Sequence, residues 1–339
     1  MSAKSARTVG IAIVSYKSAA LTVDCLRSIA AERAKSSLRI RCVVIDNASG
    51  DGPYVSDAVV ANGWQDWARV VVAPRNGGFA YGNNLGLAEL ERDGPVDFLH
   101  LLNPDTVLHP GAIDALVAFL DAHPRAGIAG GVFENGDGSE WAIAFRFPSL
   151  VSELEGGVQL AAVSRLLARW QVAMPMGNVA REVDWVSGAS MLMRRELLSA
   201  TGAMDEGFFL YFEETELCFR AKRAGYEVWY TPDSRVTHIA GQSTKVTERF
   251  VAPRRLPTYW FESRRRYFAL TRGVGYAMMA DLVALVAGTI GTLKRLLTGR
   301  REQGVPAFLR DLLANSLLMR RNRVAWNAAS TQAAEKPDA

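Results

Sequence analysis

The chain has 339 residues, of which 49% are hydrophobic and 22% charged, and these values are typical of a globular protein. Its three cysteines, Cys25, Cys42 and Cys218, lie far apart, which argues against a disulfide framework or a zinc site and fits a reducing compartment. Residues 249–323 carry 15 Lys and Arg against 4 Asp and Glu although the whole chain has a net charge of only +4. The charge pattern therefore indicates an acidic body with a basic C-terminal segment, not a uniformly basic protein.

Four apolar runs open the chain, and each is followed by a polar tip and a segment with helical spacing. The first, residues 9–16, is short and reads as a strand, not as a signal peptide. Apolar strands that alternate with helices predict a mainly parallel sheet covered on both faces. Ligands bind such sheets beyond the carboxyl ends of the strands. The polar tips are therefore predicted to line a nucleotide-sized cleft; they are Ser15, Tyr16, Asp46, Asn47, Asn76, Gly78, Asn103 and Asp105.

The middle of the chain is harder to interpret. Residues 134–180 are weakly patterned, and we expect them to shape an acceptor site. Order returns with a strand that ends near Ser187 and Gly188, and then with a helix from about Glu214 to Ala224, which Gly225 closes. A further strand, "EVWYTP", leads to His238.

Residues 273–298 are the most apolar part of the chain. Asp281 interrupts them, and the uncharged run that follows, residues 282–293, is shorter than the roughly 20 residues of a transmembrane helix. Basic residues flank the segment on both sides, as in an interfacial helix or hairpin at an anionic membrane surface. A helix packed in the core or in a dimer interface is the alternative. The tail, residues 326–339, is predicted to be disordered.

Two residues are candidates for a metal site. Asp105 follows Asn103 and Pro104 at a strand end, where a carboxylate can cap a turn or hold the divalent cation that accompanies a nucleotide diphosphate. His238 precedes small and hydroxyl residues that suit a phosphate-binding loop, and imidazole binds Mn²⁺ readily. A purely structural role is the plain alternative for each.

Three carboxylates, Glu213, Glu214 and Glu216, stand at the predicted start of a helix, where acids also serve as helix caps. Glu216 is four residues before Arg220 and is expected to pair with it. Glu213 and Glu214 remain for chemistry, because clustered carboxylates raise one another's pKa and so suit a general base. The glycines of "RNGGFAYGNNLGL" fit either a close backbone approach to a ligand or a tight turn.

Seven segments in order resemble family 2 glycosyltransferases of the GT-A fold, and most closely the bacterial rhamnosyltransferase-like enzymes. They are "VSYKS", "VIDNASGDG", "RNGGFAYGNN", "LLNPDT", "VSGASMLMRRE", "GFFLYFEETELCFR" and "HIAGQS", and they span residues 9–244. The resemblance implies an α/β fold with a Rossmann-like, mainly parallel sheet and a helical C-terminal extension. The expected domain is residues 1–245, with a nucleotide-binding half (1–130) and an acceptor and catalytic half (131–245). A basic, apolar helical segment (246–325) and the tail (326–339) would follow.

The resemblance also implies roles for individual residues. Glu214 would be the catalytic base, with Glu213 in reserve, since the family has Asp where this chain has Glu214. Asp105 matches the last acid of the family's DxD metal motif, whose first acid is here Asn103, and His238 would complete the site for Mg²⁺ or Mn²⁺. Gly188 and Ala189 would lie near the donor sugar and acceptor. The remaining donor-binding residues would be Ser15, Tyr16, Asp46, Asn76, Gly78, Asn83 and Asn103.

The function implied is inverting transfer of a sugar, L-rhamnose from dTDP-L-rhamnose, to a saccharide or lipid-linked acceptor in cell-surface polysaccharide biosynthesis. A UDP-sugar donor is one alternative. A non-catalytic nucleotide- or glycan-binding protein is another, supported by the departures at Asn103 and Glu214. A nucleotidyltransferase would need a basic Gly-rich loop after the first strand, which "SYKSAALTVD" lacks. The expected location is the cytoplasmic face of the membrane, with peripheral contact through residues 264–301, no nucleic-acid partner, and a homodimer left open.

Overall fold

The computed structural model describes residues 6–135, 138–141, 144–175, 177–238, 254–299 and 304–319. The strands are β1 (Thr8–Ser15), β2 (Arg39–Asp46), β3 (Ala68–Val72), β4 (Phe98–Leu102), β5 (Thr106–Leu108), β6 (Ala126–Glu134), β7 (Glu140–Trp141), β8 (Ala144–Phe145), β9 (Arg181–Val183), β10 (Trp185–Val186), β11 (Ser190–Arg194) and β12 (Glu227–His238). The helices are α1 (Ala19–Arg33), α2 (Gly52–Ala61), α3 (Gly78–Arg92), α4 (Ala112–Ala122), α5 (Leu150–Val158), α6 (Ala161–Leu166), α7 (Arg195–Thr201), α8 (Glu213–Arg223), α9 (Thr258–Arg272), α10 (Val274–Leu297) and α11 (Phe308–Asn315).

The main sheet has the strand order β3-β2-β1-β4-β11-β6-β12-β5. The first four strands are parallel to one another, and β12 is parallel to β6. Strand β11 is antiparallel to both β4 and β6, and β5 is antiparallel to β12. The predicted α/β fold with a mainly parallel sheet is confirmed, with β11 as the strand that joins its two parallel parts.

The core lies on both faces of this sheet. Every residue of β4 is buried, and only the first residue of β1 is partly exposed. A strand buried in this way must be apolar on both sides, which explains why β1, β2 and β4 read as continuous runs of Val, Ile and Leu and not as alternating patterns. The three cysteines are free and buried within this core.

One helix of the weakly patterned region was missed by the sequence analysis. Helix α5 begins after Ser149, whose hydroxyl accepts from the N–H of Ser152 while the Ser152 hydroxyl accepts from the N–H of Ser149. This reciprocal cap stabilises a helix whose Gly156 and Gly157 lower its intrinsic propensity. Those glycines hid α5 from a reading based on composition.

Helix α10 runs unbroken through Asp281 and is by length and composition the one helix, among the described residues, that could cross a membrane. Only 39% of its most apolar window is buried in the protein. The buried face consists of small residues and Asp281, and Tyr276, Met278 and Leu285 are partly buried, whereas most of the other large apolar side chains are exposed. We call the outward set the α10 stripe; it comprises Met279, Leu282, Val286, Ile290, Leu293, Leu296 and Leu297.

Asp281 is buried because it pairs with Arg264 of α9. The Nη1 of Arg264 donates to Oδ1 of Asp281 over 2.6 Å, and Oδ2 accepts from the N–H of Leu317 over 2.9 Å. Arg264 also pairs with Glu153 of α5, at 2.9 Å. One buried cation therefore ties α5, α9 and α10 together.

The described residues include only part of the predicted domain division. All twelve strands precede residue 239, and α9, α10 and α11 follow residue 253. The expected boundary at residue 245 and the predicted disordered tail lie outside the described residues. The boundary and the tail stay predictions.

We expect Asp281→Ala to lower the free energy of unfolding by about 3 kcal/mol, because it leaves the Arg264 guanidinium buried with only one carboxylate partner. Urea unfolding measures this change. Asp24→Ala is the control, since Asp24 pairs with Arg27 at the surface and its loss should leave stability unchanged within error. Equal effects of the two substitutions would contradict the role given to the Arg264–Asp281 pair.

Candidate active site

The carboxyl ends of β1, β2 and β4 meet at one edge of the sheet, as predicted. Ser15 pairs with Asp46 at the last register position of β1 and β2. The hydroxyl of Ser15 is hydrogen-bonded to those of Ser18 and Thr22, at 3.1 and 2.9 Å. Tyr16 is partly exposed just beyond the strand. The edge thus carries an exposed tyrosine next to a buried group of hydrogen-bonded hydroxyls.

Asp46 is buried and already engaged by its own turn. Its Oδ1 accepts from the N–H and the hydroxyl of Ser49, at 2.9 and 2.6 Å, and its Oδ2 accepts from the N–H of Gly52 at 3.0 Å. These bonds fix the start of α2. The predicted contact of Asp46 with a base or ribose stays a prediction, and it would have to share a carboxylate that holds the turn.

Asn47 holds the Gly-rich loop in place, a role the sequence did not reveal. Its amide nitrogen donates to Oδ1 of Asn76 and to the carbonyl oxygen of Gly78, at 3.0 and 3.1 Å, and its Oδ1 accepts from Gly77. Gly78 has a φ of +88°, and a β-carbon there would lie 2.0 Å from the carbonyl oxygen of Phe209. Both features require glycine. Close packing against residue 209 therefore accounts for Gly78, and a ligand is not needed to explain it.

Asn83 is buried on the second turn of α3, where its amide donates to the carbonyl oxygen of Phe79 at 3.0 Å. Its oxygen remains the group that could face a ligand. Asn76 and Asn83 thus both belong to the polar start of α3, beside the end of β2.

Asp105 and His238 are brought together by the antiparallel pairing of β5 with β12, in which His238 is opposite Thr106. The Nε2 of His238 lies 3.2 Å from Oδ1 of Asp105, and both side chains are buried. That carboxylate oxygen accepts no hydrogen bond of good geometry from the described residues. A buried carboxylate oxygen normally has a donor or a cation beside it, so this atom is suited to a metal ligand.

The ligand atoms of Asp105 and His238 suit a divalent cation. A carboxylate oxygen and an imidazole nitrogen are two suitable ligands, and the phosphate oxygens of a bound nucleotide and water can supply the rest. No cluster of three or more His, Cys, Asp or Glu that could hold a metal exists among the residues described. The chain therefore offers a partial site, consistent with Asn103 in place of a second acid.

A short chain of contacts links this pair to the predicted base. The N–H of Asn103 donates to the carbonyl oxygen of Ala189 over 2.9 Å and so extends the pairing of β4 with β11. Next to Ala189, a β-carbon on Gly188 would be 3.6 Å from Cβ of Glu214 and 3.1 Å from the ring of Phe79. Glycine at position 188 therefore allows Phe79 and Glu214 to pack closely against this segment.

The two carboxylates of α8 differ in their surroundings. Tyr211 and Phe212, just before the helix, both have positive φ, of 72° and 70°, and such consecutive left-handed residues are strained. Glu213 is buried, and its burial and then the charge of Glu214 raise its pKa well above the ordinary value. Burial raises the pKa of Glu214 to about 7, although the backbone N–H groups of Glu214, Thr215 and Gly188 act in the opposite direction.

Glu214, unlike Glu213, borders an open cavity of about 800 Å³. The walls come from α5, the start of α8, α9, α10 and residues 304–310. One oxygen of Glu214 accepts no hydrogen bond from a described residue. Glu213 also has one oxygen that accepts no hydrogen bond from a described residue, so the difference between the two candidates is that Glu214 borders the cavity. Glu216 forms the expected pair with Arg220, with two N–O distances of 2.8 and 2.9 Å.

Several residues around this cavity were not singled out by the sequence analysis. Trp185, Trp260 and Arg295 line it, as do residues of the missed helix α5. The cap at Ser149 was the one local signal available for α5. The other three come from distant segments that only the tertiary fold brings together.

Comparison with known proteins points to the same chemistry. Residues 6–255 match the sequence profile of the family described as "Glycosyltransferase like family 2". A relative from Mycobacterium tuberculosis, named N-acetylglucosaminyl-diphospho-decaprenol L-rhamnosyltransferase, is 32% identical over 231 residues, which are 64% of this chain and 70% of the relative. Rhamnosyltransferase WbbL of Escherichia coli is 26% identical over 169 residues, 48% of this chain and 61% of that protein.

Among solved structures, the chain is similar to the mannosyltransferase PcManGT of Pyrobaculum calidifontis, solved with GDP-Man and Mn²⁺. The TM-score is 0.52 over 91% of this chain and 86% of that one, at 17% sequence identity. The likeness shows a shared fold.

The pKa of Glu214 is open to direct measurement. We expect a protonated carboxyl signal in infrared difference spectra to disappear with a midpoint near pH 7, and this component should be lost in Glu214→Gln. Glu216→Gln is the matched control, because Glu216 is paired with Arg220 and should not contribute to it. A wild-type protein in which no carboxyl titrates above pH 6 would show that the assigned environment of Glu214 is wrong.

Proposed function

Because the chain belongs to glycosyltransferase family 2 and is a glycosyltransferase, we propose that it catalyses inverting transfer of one sugar from a nucleotide-sugar to a saccharide or lipid-linked acceptor. The observation that carries this proposal is the position of Glu214. Its carboxyl group, with a pKa of about 7, borders an open cavity and is next to Gly188, which precedes the residue that accepts a hydrogen bond from Asn103. A base in that position can reach a donor on one side and an acceptor on the other.

The donor would occupy the sheet edge. Tyr16 offers a ring for stacking on the base, and Ser15 and Asp46 lie beneath it at the ends of β1 and β2. Asn76, Gly78 and Asn83 would surround the ribose and sugar from the start of α3. Asn103 and Asp105 would lie next to the diphosphate, and Gly188 and Ala189 next to the transferred sugar.

Asp105 and His238 would hold a divalent cation, Mg²⁺ or Mn²⁺. Such a cation, when bound, offsets the negative charge on the diphosphate. The support is the 3.2 Å approach of the two side chains and the Asp105 oxygen without a donor. The protein's own contribution is to keep both groups fixed, through the pairing of β5 with β12.

The reaction would be a single displacement. Glu214 takes the proton of an acceptor hydroxyl, the hydroxyl oxygen forms a bond to the anomeric carbon, and the bond from that carbon to the diphosphate oxygen breaks. The nucleoside diphosphate leaves with the bonding electrons, and the configuration at the anomeric carbon inverts. The pKa of Glu213 is raised well above its ordinary value by burial and then by the charge of Glu214, so ionisation of one carboxyl group opposes ionisation of the other.

The donor we favour is dTDP-L-rhamnose. The support is the printed names of two relatives, both rhamnosyltransferases, one of which acts on N-acetylglucosaminyl-diphospho-decaprenol. A UDP-sugar donor is the alternative, since no described residue contact distinguishes thymine from uracil. Membership of the glycosyltransferase family argues against the alternative of a non-catalytic binding protein.

We place the enzyme at the cytoplasmic face of the membrane, in contact with it through α10. The support is the α10 stripe, in which large apolar side chains face outward while small residues pack inward. A buried helix face normally has the larger side chains, because they bury more apolar area. Lys294 and Arg295, near the end of the helix, add the positive charge that anionic lipids attract.

Glu214→Gln should reduce transfer by about a thousandfold, the size of a lost general base, and leave nucleotide binding intact. Wild-type kcat/KM should rise with pH to a plateau above pH 7, since only ionised Glu214 accepts a proton. Release of nucleotide from a panel of dTDP- and UDP-sugars, with Mn²⁺, Mg²⁺ or chelator, measures activity and identifies the donor.

Glu213→Gln is the matched control for the base. It should retain much more activity than Glu214→Gln, because Glu213 does not border the cavity. Near-normal turnover of Glu214→Gln would refute the base assignment. Full activity of Asp105→Asn in chelator would refute the metal site.

Vesicle binding tests the membrane proposal. The double variant Leu282→Gln, Val286→Gln should bind anionic phospholipid vesicles about tenfold more weakly than the wild type, because it removes apolar area from the stripe. Leu166→Gln is the control, since Leu166 is more exposed, at 78%, but lies on α6, outside the stripe. If the double variant sediments with the vesicles as strongly as the wild type does, α10 is not the contact surface.

A further inference from the structure

The cavity beside Glu214 is much larger and more apolar than a hydroxyl-bearing sugar needs. Its volume is about 800 Å³. Trp185, Trp260, Phe308, Val305 and Leu309 are among the apolar residues that line it. Sites lined in this way recognise apolar ligands and orient them with a few polar groups.

One of those polar groups is Arg295. Its Nη1 donates to Oε1 of Gln159 over 2.6 Å and its Nη2 to the hydroxyl of Thr292 over 3.0 Å, while its guanidinium packs on the backbone of Gly304. No carboxylate in the described parts of the chain pairs with Arg295. Among the described residues, the Arg295 guanidinium is therefore held by two neutral side chains, and a cation held in this way suits a phosphate group.

The other charged groups of the cavity do not cancel this charge. Glu153 lines the cavity but pairs with the buried Arg264. Arg310 also lines it and lies 3.4 Å from Asp311. Glu214 is the remaining carboxylate, and it is the proposed base. Positive charge at Arg295 and a base at Glu214 therefore face the same space.

The walls are held at fixed positions by glycines. A β-carbon on Gly291 would lie 2.2 Å from the carbonyl oxygen of Gly157, and one on Gly157 would lie 2.6 Å from Cβ of Ala287. Helices α5 and α10 can approach this closely only because these positions lack side chains. One wall of the cavity is therefore formed by the closely packed helices α5 and α10.

The cavity also continues into the outer surface of α10. Leu296 lines the cavity and is 49% exposed as part of the α10 stripe. Leu296 is thus shared by the cavity wall and the α10 stripe.

We propose that this cavity is the binding site for the lipid-linked acceptor, with Arg295 on the phosphate that joins sugar to lipid and the aromatic walls on the first part of the lipid chain. The proposal rests on the proposed function, because Glu214 must act on an acceptor hydroxyl at the same cavity. It adds the acceptor's chemical class: a sugar on a long apolar chain through a phosphate or diphosphate. The sugar would lie toward Glu214 and the chain toward α10.

Calorimetric titration of the full-length protein with farnesyl diphosphate, in excess dTDP to occupy the proposed donor site, tests this assignment. We expect farnesyl diphosphate to bind at least about tenfold more tightly than farnesol or inorganic diphosphate, because the cavity engages both parts. Arg295→Gln should weaken farnesyl diphosphate by about tenfold and leave farnesol unchanged. Val305→Phe, which fills the cavity, should weaken both lipids.

Lys35→Gln is the control, since it removes one exposed positive charge that does not line the cavity. It should leave all affinities unchanged. Equal binding of dihexanoylphosphatidylglycerol and farnesyl diphosphate, or farnesyl diphosphate affinity that neither Arg295→Gln nor Val305→Phe alters, would overturn the proposal. Failure of dTDP to bind would instead count against the proposed donor site and leave the cavity result readable.

Discussion

The antiparallel pairing of β4 with β11, extended by the hydrogen bond from Asn103 to Ala189, is the contact on which the rest of the site depends. Strand β4 delivers Asp105 to the sheet edge, and β11 begins with the segment that touches Glu214 at Gly188. Without β11 between β4 and β6, the donor half and the acceptor half would have no common boundary. A backbone bond of 2.9 Å therefore joins the segment that carries Asn103 and Asp105 to the segment next to Glu214.

The electrostatics of the site follow from burial acting against local hydrogen bonds. Glu213 and Glu214 stand at a helix N-terminus, where free N–H groups and the helix dipole favour ionised carboxylates. Their pKa values are nevertheless raised, because desolvation outweighs those contacts. The strained backbone at Tyr211 and Phe212 is the cost of putting the carboxylates there. A base that is half ionised near neutral pH is the result.

The sheet and the polar side chains at its edge were predictable because each is local in sequence, whereas the role of Glu214 as base comes from the family resemblance and stays a prediction. An apolar run that ends in Asn-Pro-Asp or Asp-Asn predicts a parallel strand and its polar end. The i,i+4 spacing predicts the Glu216–Arg220 pair. The approach of His238 to Asp105 follows from the family resemblance, not from spacing, since the two are joined through the pairing of β12 with β5. The cavity was not predictable at all. Its walls join α5, whose glycines hid it, to Arg295 and Trp260, which no local pattern connects.

Asp281 shows why the sequence left α10 undecided between a packed helix and a surface one. A carboxylate in an apolar run looks like an interruption, but Arg264 neutralises it and turns that side of the helix toward the protein. Small residues on the same side then allow α5 to approach, and the large residues are left outside. Both interpretations of α10 therefore hold, each for one face of the helix: one face is packed against the protein and the other is exposed. The proposed acceptor has a polar sugar, an anionic link and an apolar chain in that order. It would therefore contact a base, then a cation, then an apolar surface. Helix α10 provides the last two within one turn, at Arg295 and Leu296.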